Sequence, residues 1–259
     1  MNGACTAADI ATSNPEACPA HDAHTAADWL AERGYDSAPV LKDDRPVGYV
    51  TRDAAEDASS DESVTEIMEP LTVDVIIANN TPVDAVLESL YNRPFYYLAD
   101  RSSVTGILTR ADLNTEPVYQ HLYIKVSRLE QTLRKVISEH VPDWRDTAPI
   151  HPKKLDNIDH RLSEAKEAGV ALGPIHYTQF STLVEIISDS EIASQAVGFD
   201  ARHQAKSQLN AITNLRNDVA HSNQIIQNTD RGIGEAGRTI TDLLEQYRLI
   251  ERVRSTYKE

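Results

Sequence analysis

A duplicated block constrains this chain more than anything else in it. Pro39-Val40, followed by Val47-Gly48-Tyr49-Val50-Thr51-Arg52, recurs as Pro94-Phe95, followed by Thr105-Gly106-Ile107-Leu108-Thr109-Arg110. The two glycines, Gly48 and Gly106, lie 58 residues apart. Each copy reads the same way. A helical stretch (25–33, then 82–91) leads to a short apolar strand (38–41, then 95–98). A polar turn (42–45, then 100–103) follows, and a second strand ends in Thr-Arg. A strand–turn–strand beside helices, present twice, predicts an α/β pair related by pseudo-twofold symmetry rather than a solenoid. The polar, acidic run Glu56-Asp57-Ala58-Ser59-Ser60-Asp61-Glu62-Ser63 reads as the linker between the copies.

The pattern changes at Thr115-Glu116-Pro117. Beyond it Leu122, Val126, Leu129, Leu133, Val136 and Ile137 recur at steps of three and four, the spacing of one buried helix face over 118–140. Val141-Pro142 ends that helix, and 143–153 reads as loop. A polar helix over 155–168 closes at Gly169, and Gly173-Pro174 breaks the chain again. Further helices are predicted over 178–188, 200–219 and 234–253; in the second of these Leu209, Ile212, Leu215 and Val219 form one apolar stripe. No strand is expected after residue 115, so the back half is an α-bundle. The predicted domains are 1–115 and 116–259.

Charge is divided unequally between them. Residues 1–115 carry 20 acidic and 7 basic side chains, whereas 116–259 carry 20 and 18. The front half should repel polyanions; the back half need not. Arg outnumbers Lys 17 to 8 within a net charge of −15, the balance that a salt-rich cytoplasm selects because charge repulsion is screened there. The two cysteines, Cys5 and Cys18, exclude a disulfide scaffold and a four-cysteine zinc site. No run approaches ~18 apolar residues, and the first residues lack a basic and apolar leader. A soluble, cytoplasmic protein with no membrane partner is expected.

The front repeat resembles a pair of cystathionine-beta-synthase (CBS) domains, carried by Gly34, Pro39-Val40 and Gly48-Tyr49-Val50-Thr51, and then by Pro94 and Gly106-Ile107-Leu108-Thr109-Arg110-Ala111-Asp112. The resemblance implies an adenine nucleotide (AMP, ADP or ATP) as regulatory ligand in a cleft between the copies. It also implies a Thr/Ser-x-x-Asp motif at phosphate and ribose. Hydroxyls suit phosphate, and a carboxylate accepts from ribose hydroxyls. Thr109 and Asp112 match. In the first copy Thr51 is followed three residues later by Ala54, and Asp53 stands out of register, so at most one complete cleft is expected. The competing reading makes Thr109 and Asp112 a cap for the next helix.

The back half resembles the HEPN superfamily of helical bundles. Leu215-Arg216-Asn217-Asp218-Val219-Ala220-His221 matches its Arg-x4–6-His signature, Leu129 to Arg134 resembles its first-helix pattern, and Phe180 to Ile187 resembles the apolar segment before the motif. The resemblance implies a metal-independent ribonuclease. Arg216 offers a fork of donors to a phosphate, His221 takes or gives a proton near neutral pH, and Asn217 or Asp218 holds the phosphate or orients His221. Attack of a ribose 2′-hydroxyl would then leave a cyclic phosphate. Toxin or defence roles are common in that superfamily. One of its subfamilies carries a modifiable Tyr two residues after the His; that position is Asn223 here.

Five residues turn an ideal helix so that Arg216 and His221 stand about 140° apart. This offset, like the resemblance, points to a site shared across a homodimer. The competing reading pairs Arg216 with Glu130 and leaves His221 as an exposed helix residue.

Other motifs carry less. Cys18-x2-His21-x2-His24 has metal-like residue types at a spacing that matches no zinc pattern. Gly232-Ile233-Gly234-Glu235-Ala236-Gly237 lacks the preceding strand of a dinucleotide fingerprint and reads as the turn before the last helix. The chain is therefore expected to be an α/β tandem CBS pair followed by an all-α HEPN-like helical bundle. Its expected function is that of a nucleotide-regulated homodimeric endoribonuclease acting on RNA without metal. The alternative is a non-catalytic nucleotide-sensing module that dimerises or binds RNA or a partner protein.

Overall fold

The computed structural model describes residues 5–19, 21–59, 62–100, 103–227 and 237–257. The chain forms two compact units, Met1–Val118 and Tyr119–Glu259. Parts of three sequence motifs lie outside the described residues: 60–61 of the acidic linker, 101–102 of the second polar turn, and 232–236 of the glycine-rich turn.

In the first unit the elements run α1 (Ala7–Ile10), β1 (Thr12–Ser13), α2 (Ala23–Arg33), β2 (Ser37–Lys42), β3 (Arg45–Thr51), α3 (Arg52–Asp57) and α4 (Val64–Ile67). There follow β4 (Ile76–Ile77), α5 (Val83–Asn92), β5 (Phe95–Asp100), β6 (Ser103–Thr109) and a 3-10 turn, Arg110–Asn114. The strand pairs are antiparallel hairpins with the same offset in both copies. Val40 faces Gly48 in β2–β3, and Leu98 faces Gly106 in β5–β6. The second hairpin is extended into a four-stranded sheet of order β1-β6-β5-β4.

The repeated glycines now acquire a reason. In copy one the chain returns so that Tyr49 and Glu69 exchange both backbone hydrogen bonds, at 2.9 and 2.8 Å. In copy two β1 crosses β6 at the equivalent place, pairing Thr12 with Ile107 and Ser13 with Gly106. A Cβ on Gly48 would lie 2.5 Å from the Glu69 carbonyl oxygen, and one on Gly106 would lie 3.2 Å from that of Thr12. Glycine stands where a third segment passes too close for a side chain. Each copy thus borrows its third segment from elsewhere: copy one from the inter-copy stretch, copy two from the chain's N-terminal stretch.

Two cores form. Ala26, Leu30, Val40, Val50 and Val64 close over copy one. A second cluster joins Tyr49 of β3 to Phe95 and Tyr97 of β5, with ring centroids 5.6 to 5.7 Å apart, edge-on or tilted. It is the seam of the pair. The Tyr97 hydroxyl is satisfied by Ser37, and burial pushes its pKa well above the usual phenol range.

The regular elements among the described residues of the second unit are helices. They comprise α6 (Glu116–His140), α7 (Trp144–Thr147), α8 (Pro152–Glu167), a 3-10 turn (Pro174–Tyr177), α9 (Phe180–Asp189), α10 (Glu191–Ala196), α11 (Arg202–His221) and α12 (Ile240–Thr256). The six apolar residues of the first stripe are buried, as are Leu209, Ile212, Leu215 and Val219 of α11. Helix α11 packs on α9 and α12. Helices α6 and α12 run in the same direction: His121 meets Tyr247 at 3.2 Å, and one turn on Lys125 donates to Glu251 at 3.0 Å.

The structure corrects the expected loop at 143–153, which contains α7 and the start of α8. Pro152 occupies the first turn of α8, where its missing N–H costs nothing. It also adds α10, too short and too mixed for a periodicity to reveal. Among the described residues no helix is long and apolar enough to cross a membrane.

Candidate functional site

The buried stripe of α11 decides what its other residues can do. With Leu209, Ile212, Leu215 and Val219 facing the core, Arg216 is half-buried and Asn217 and His221 are exposed. The sole polar contact of Arg216 among the described residues is its Nη1 donating to Asn217 Oδ1 at 3.4 Å. The expected competitor for it is engaged elsewhere, because Glu130 pairs with Arg134 one turn along α6. His221 is the last residue of α11, before Ser222 turns the chain into the left-handed region at φ 54°. It makes no hydrogen bond or ion pair with the described residues.

Asp218 is placed differently from Arg216 and His221. Its Oδ2 accepts from Arg238 Nη2 at 2.8 Å, and its Oδ1 accepts from Asn223 Nδ2 at 3.3 Å. The Arg238 side chain is 7 % exposed and also donates through Nη1 to the Ile225 carbonyl at 3.1 Å. This carboxylate therefore holds the chain that leaves α11 against the residues that enter α12. Tyr119 joins the group by donating to the Asn223 carbonyl at 2.6 Å. Its pKa is raised by burial and then by the Asp218 charge.

Arg216 opens onto a polar cavity of about 450 Å³ walled by α6, α8, α9 and α11. Arg161, Gln179, Ser181 and Thr213 line it beside Glu130 and Asn217. Sequence reading passed over Arg161 and Arg238. The first lies on a polar helix with no motif around it, and the second follows a segment that no periodicity spans.

In the first unit Thr109 and Asp112 form a reciprocal cap on the 3-10 turn after β6. The Thr109 N–H and Oγ1 both donate to Asp112 Oδ2, at 2.6 and 2.8 Å. Thr12 of β1 donates to Oδ1 at 3.2 Å. Asp112 is 9 % exposed; burial raises its carboxyl pKa, and the Thr109 and Thr12 hydrogen bonds pull it back. Three of its roughly four acceptor positions are filled. In copy one the Thr51 hydroxyl accepts from the Ala54 N–H at 3.2 Å, and with alanine there no carboxylate returns the bond. Asp53 is exposed in the first turn of α3, while Arg52 reaches Asp36 at 2.5 Å. Cys18 is buried in the copy-one core, and His24 stands 3.7 Å from Asp28.

No protein-family model matches the chain, and no curated protein matches it in sequence. Several solved structures are similar to part of it. The CBS-domain pair of the protein MJ0100, solved with 5′-methylthioadenosine and S-adenosyl-L-methionine, is 22% identical and covers 42% of this chain and 93% of its own, at a TM-score of 0.37. CBSX2 in complex with AMP is 20% identical and covers 46% of this chain and 98% of its own, at 0.37. A putative acetoin utilization protein from Vibrio cholerae is 14% identical and covers 49% of this chain and 96% of its own, at 0.38. Each likeness extends over less than half of this chain.

Proposed function

We propose that the protein is an adenine-nucleotide-responsive regulator whose helical unit acts as a HEPN-type endoribonuclease in a homodimer. The observation that supports this reading is the division of roles at the end of α11. Asp218 is committed to Arg238, while Arg216 and His221 keep their polar groups for a ligand.

The chemistry follows from those two groups. The ribose 2′-oxygen bonds to the adjacent phosphorus as the bond from phosphorus to the 5′-oxygen breaks. His221 accepts the proton that the 2′-oxygen loses, and a proton returns to the departing 5′-oxygen. The products are a cyclic phosphate and a 5′-hydroxyl, with no water consumed. Arg216 stabilises the charge that grows on the non-bridging oxygens. Asn217 steadies the Arg216 guanidinium, and Asp218 is a positioning residue that fixes the helix end. The offset of about 140° between Arg216 and His221 on one helix favours a site completed by a second copy of the chain.

The nucleotide is assigned to the second copy of the front unit, at Thr109 and Asp112. A ribose hydroxyl would replace Thr12 as donor to the Asp112 carboxylate, and the Thr109 hydroxyl would turn its proton from Asp112 to a phosphate oxygen. Copy one, with Ala54 in place of the acid, is left without that partner.

The test is cleavage of single-stranded RNA in the presence of EDTA. Arg216→Ala and His221→Ala should each lower the rate by about a hundredfold or more. Mixing the two inactive proteins should restore cleavage through mixed dimers, with cyclic phosphate at the new end. Equal rates for wild type and His221→Ala, or cleavage abolished by the chelator, refute the reading.

A further inference from the structure

The cavity beside Arg216 contains more positive charge than its walls balance. Two guanidiniums reach it from different helices, Arg161 from α8 and Arg216 from α11. Neither has an ion pair among the described residues. Glu130, the carboxylate on the wall, is neutralised by Arg134. Gln179, Ser181 and Thr213 add an amide and two hydroxyls. In a chain of net charge −15, carboxylates are abundant, yet none among the described residues pairs with these two cations. Like charges around one cavity repel, and an anion seated between them relieves that repulsion. A guanidinium fork matches the oxygens of a phosphate.

Size then argues for more than one phosphate. At about 450 Å³ the cavity lies within the range that takes a small organic ligand. Arg161 and Gln179 also line a smaller adjoining cavity of about 40 Å³, where Lys154 is tied to Glu185 at 2.6 Å. The polar track therefore runs from α11 across the start of α9 to α8.

We propose that this cavity is a substrate subsite: Arg161 binds the phosphodiester next to the one that Arg216 clamps, on a single strand of RNA. The subsite rests on the ribonuclease reading above. Arg161 is a binding residue that sets affinity and strand position, with no part in proton transfer.

The experiment separates the two claims. A short fluorescent single-stranded 2′-O-methyl oligonucleotide, which lacks the attacking hydroxyl, is titrated against the full-length protein over a series of salt concentrations. Arg161→Gln should weaken binding roughly tenfold. It should also flatten the slope of log affinity against log salt by about 0.7, the share of one single-strand phosphate contact. Lys153→Gln removes the same charge from the same helix away from the cavity and should change affinity less than about twofold. Arg161→Lys should recover part of the loss. Arg161 is exposed and makes no hydrogen bond with the described residues, so the melting temperature of Arg161→Gln should match that of wild type.

Unchanged affinity and slope in Arg161→Gln, equal losses in Arg161→Gln and Lys153→Gln, or no binding by wild type each overturn the subsite. On cleavable RNA, Arg161→Gln should raise KM with kcat unchanged. Binding through Arg161 without any cleavage refutes the ribonuclease reading and keeps the subsite. Cleavage dependent on His221 with KM unmoved by Arg161→Gln does the reverse.

Discussion

Replacing Asp218 by alanine should cost the helical unit stability, whereas replacing Arg216 or His221 should not. The structural ground is Arg238, 7 % exposed, whose Nη2 rests on Asp218 at 2.8 Å and whose Nη1 rests on the Ile225 carbonyl at 3.1 Å. Its Nε is buried without a hydrogen-bond partner among the described residues. Removing Asp218 leaves a buried cation facing one carbonyl. Breaking a buried pair in this way typically costs ~3–5 kcal/mol. The Asp218 side chain is itself 19 % exposed, so water offsets part of the loss. A loss of about 2–3 kcal/mol remains. At about 2–4 °C per kcal/mol for a unit of this size, the melting temperature should fall by about 4–12 °C.

The assay is thermal unfolding of Asp218→Ala beside Arg216→Ala and His221→Ala. The latter two should stay within about 0.5 kcal/mol of wild type. The double variant Asp218→Ala/Arg238→Met should recover much of the loss, because it removes both charges and leaves an apolar stem in place. A wild-type melting temperature for Asp218→Ala would refute the reasoning. If that variant also lost cleavage, Asp218 would belong to the chemistry rather than to the support of the helix end.

The crossing glycines should differ in sensitivity. Gly48→Ala forces a Cβ to 2.5 Å from the Glu69 carbonyl and should cost about 2–3 kcal/mol in denaturant unfolding, against about 1 kcal/mol for Gly106→Ala, whose contact is 3.2 Å. Equal losses would show that the third segment is free to move in both copies. Calorimetric titration with AMP, ADP, ATP and S-adenosylmethionine should reveal one nucleotide site in the front unit. That site should be weakened about tenfold by Asp112→Asn and untouched by Thr51→Ala. Absence of heat with all four ligands would refute the nucleotide assignment.

Much of the architecture was legible along the chain because it depends on local regularities. The glycine repeat placed both hairpins, and the three-and-four spacing from Leu122 to Ile137 placed the face that α6 buries. Short pieces escaped. Strands β1 and β4 have two residues each, below any period, and α10 has six.

The candidate sites were legible only as residue types. The motif singled out Arg216, Asn217, Asp218 and His221 together, and nothing in their spacing separated Asp218 from the others. That separation comes from Arg238, 20 residues further on, which claims the carboxylate. Likewise Thr109-x-x-Asp112 announces a cap or a ligand site equally well, until Thr12, 100 residues away, is seen to donate to the same acid. Arg161 entered no motif and matters because α8 brings it to the cavity of Arg216. Periodicity records which face of each element must leave water, so the sequence by itself determined the longer elements and their buried sides. Which polar groups are consumed in holding those elements together, and which remain for a ligand, depends on partners distant in the chain, and only the tertiary structure decided it.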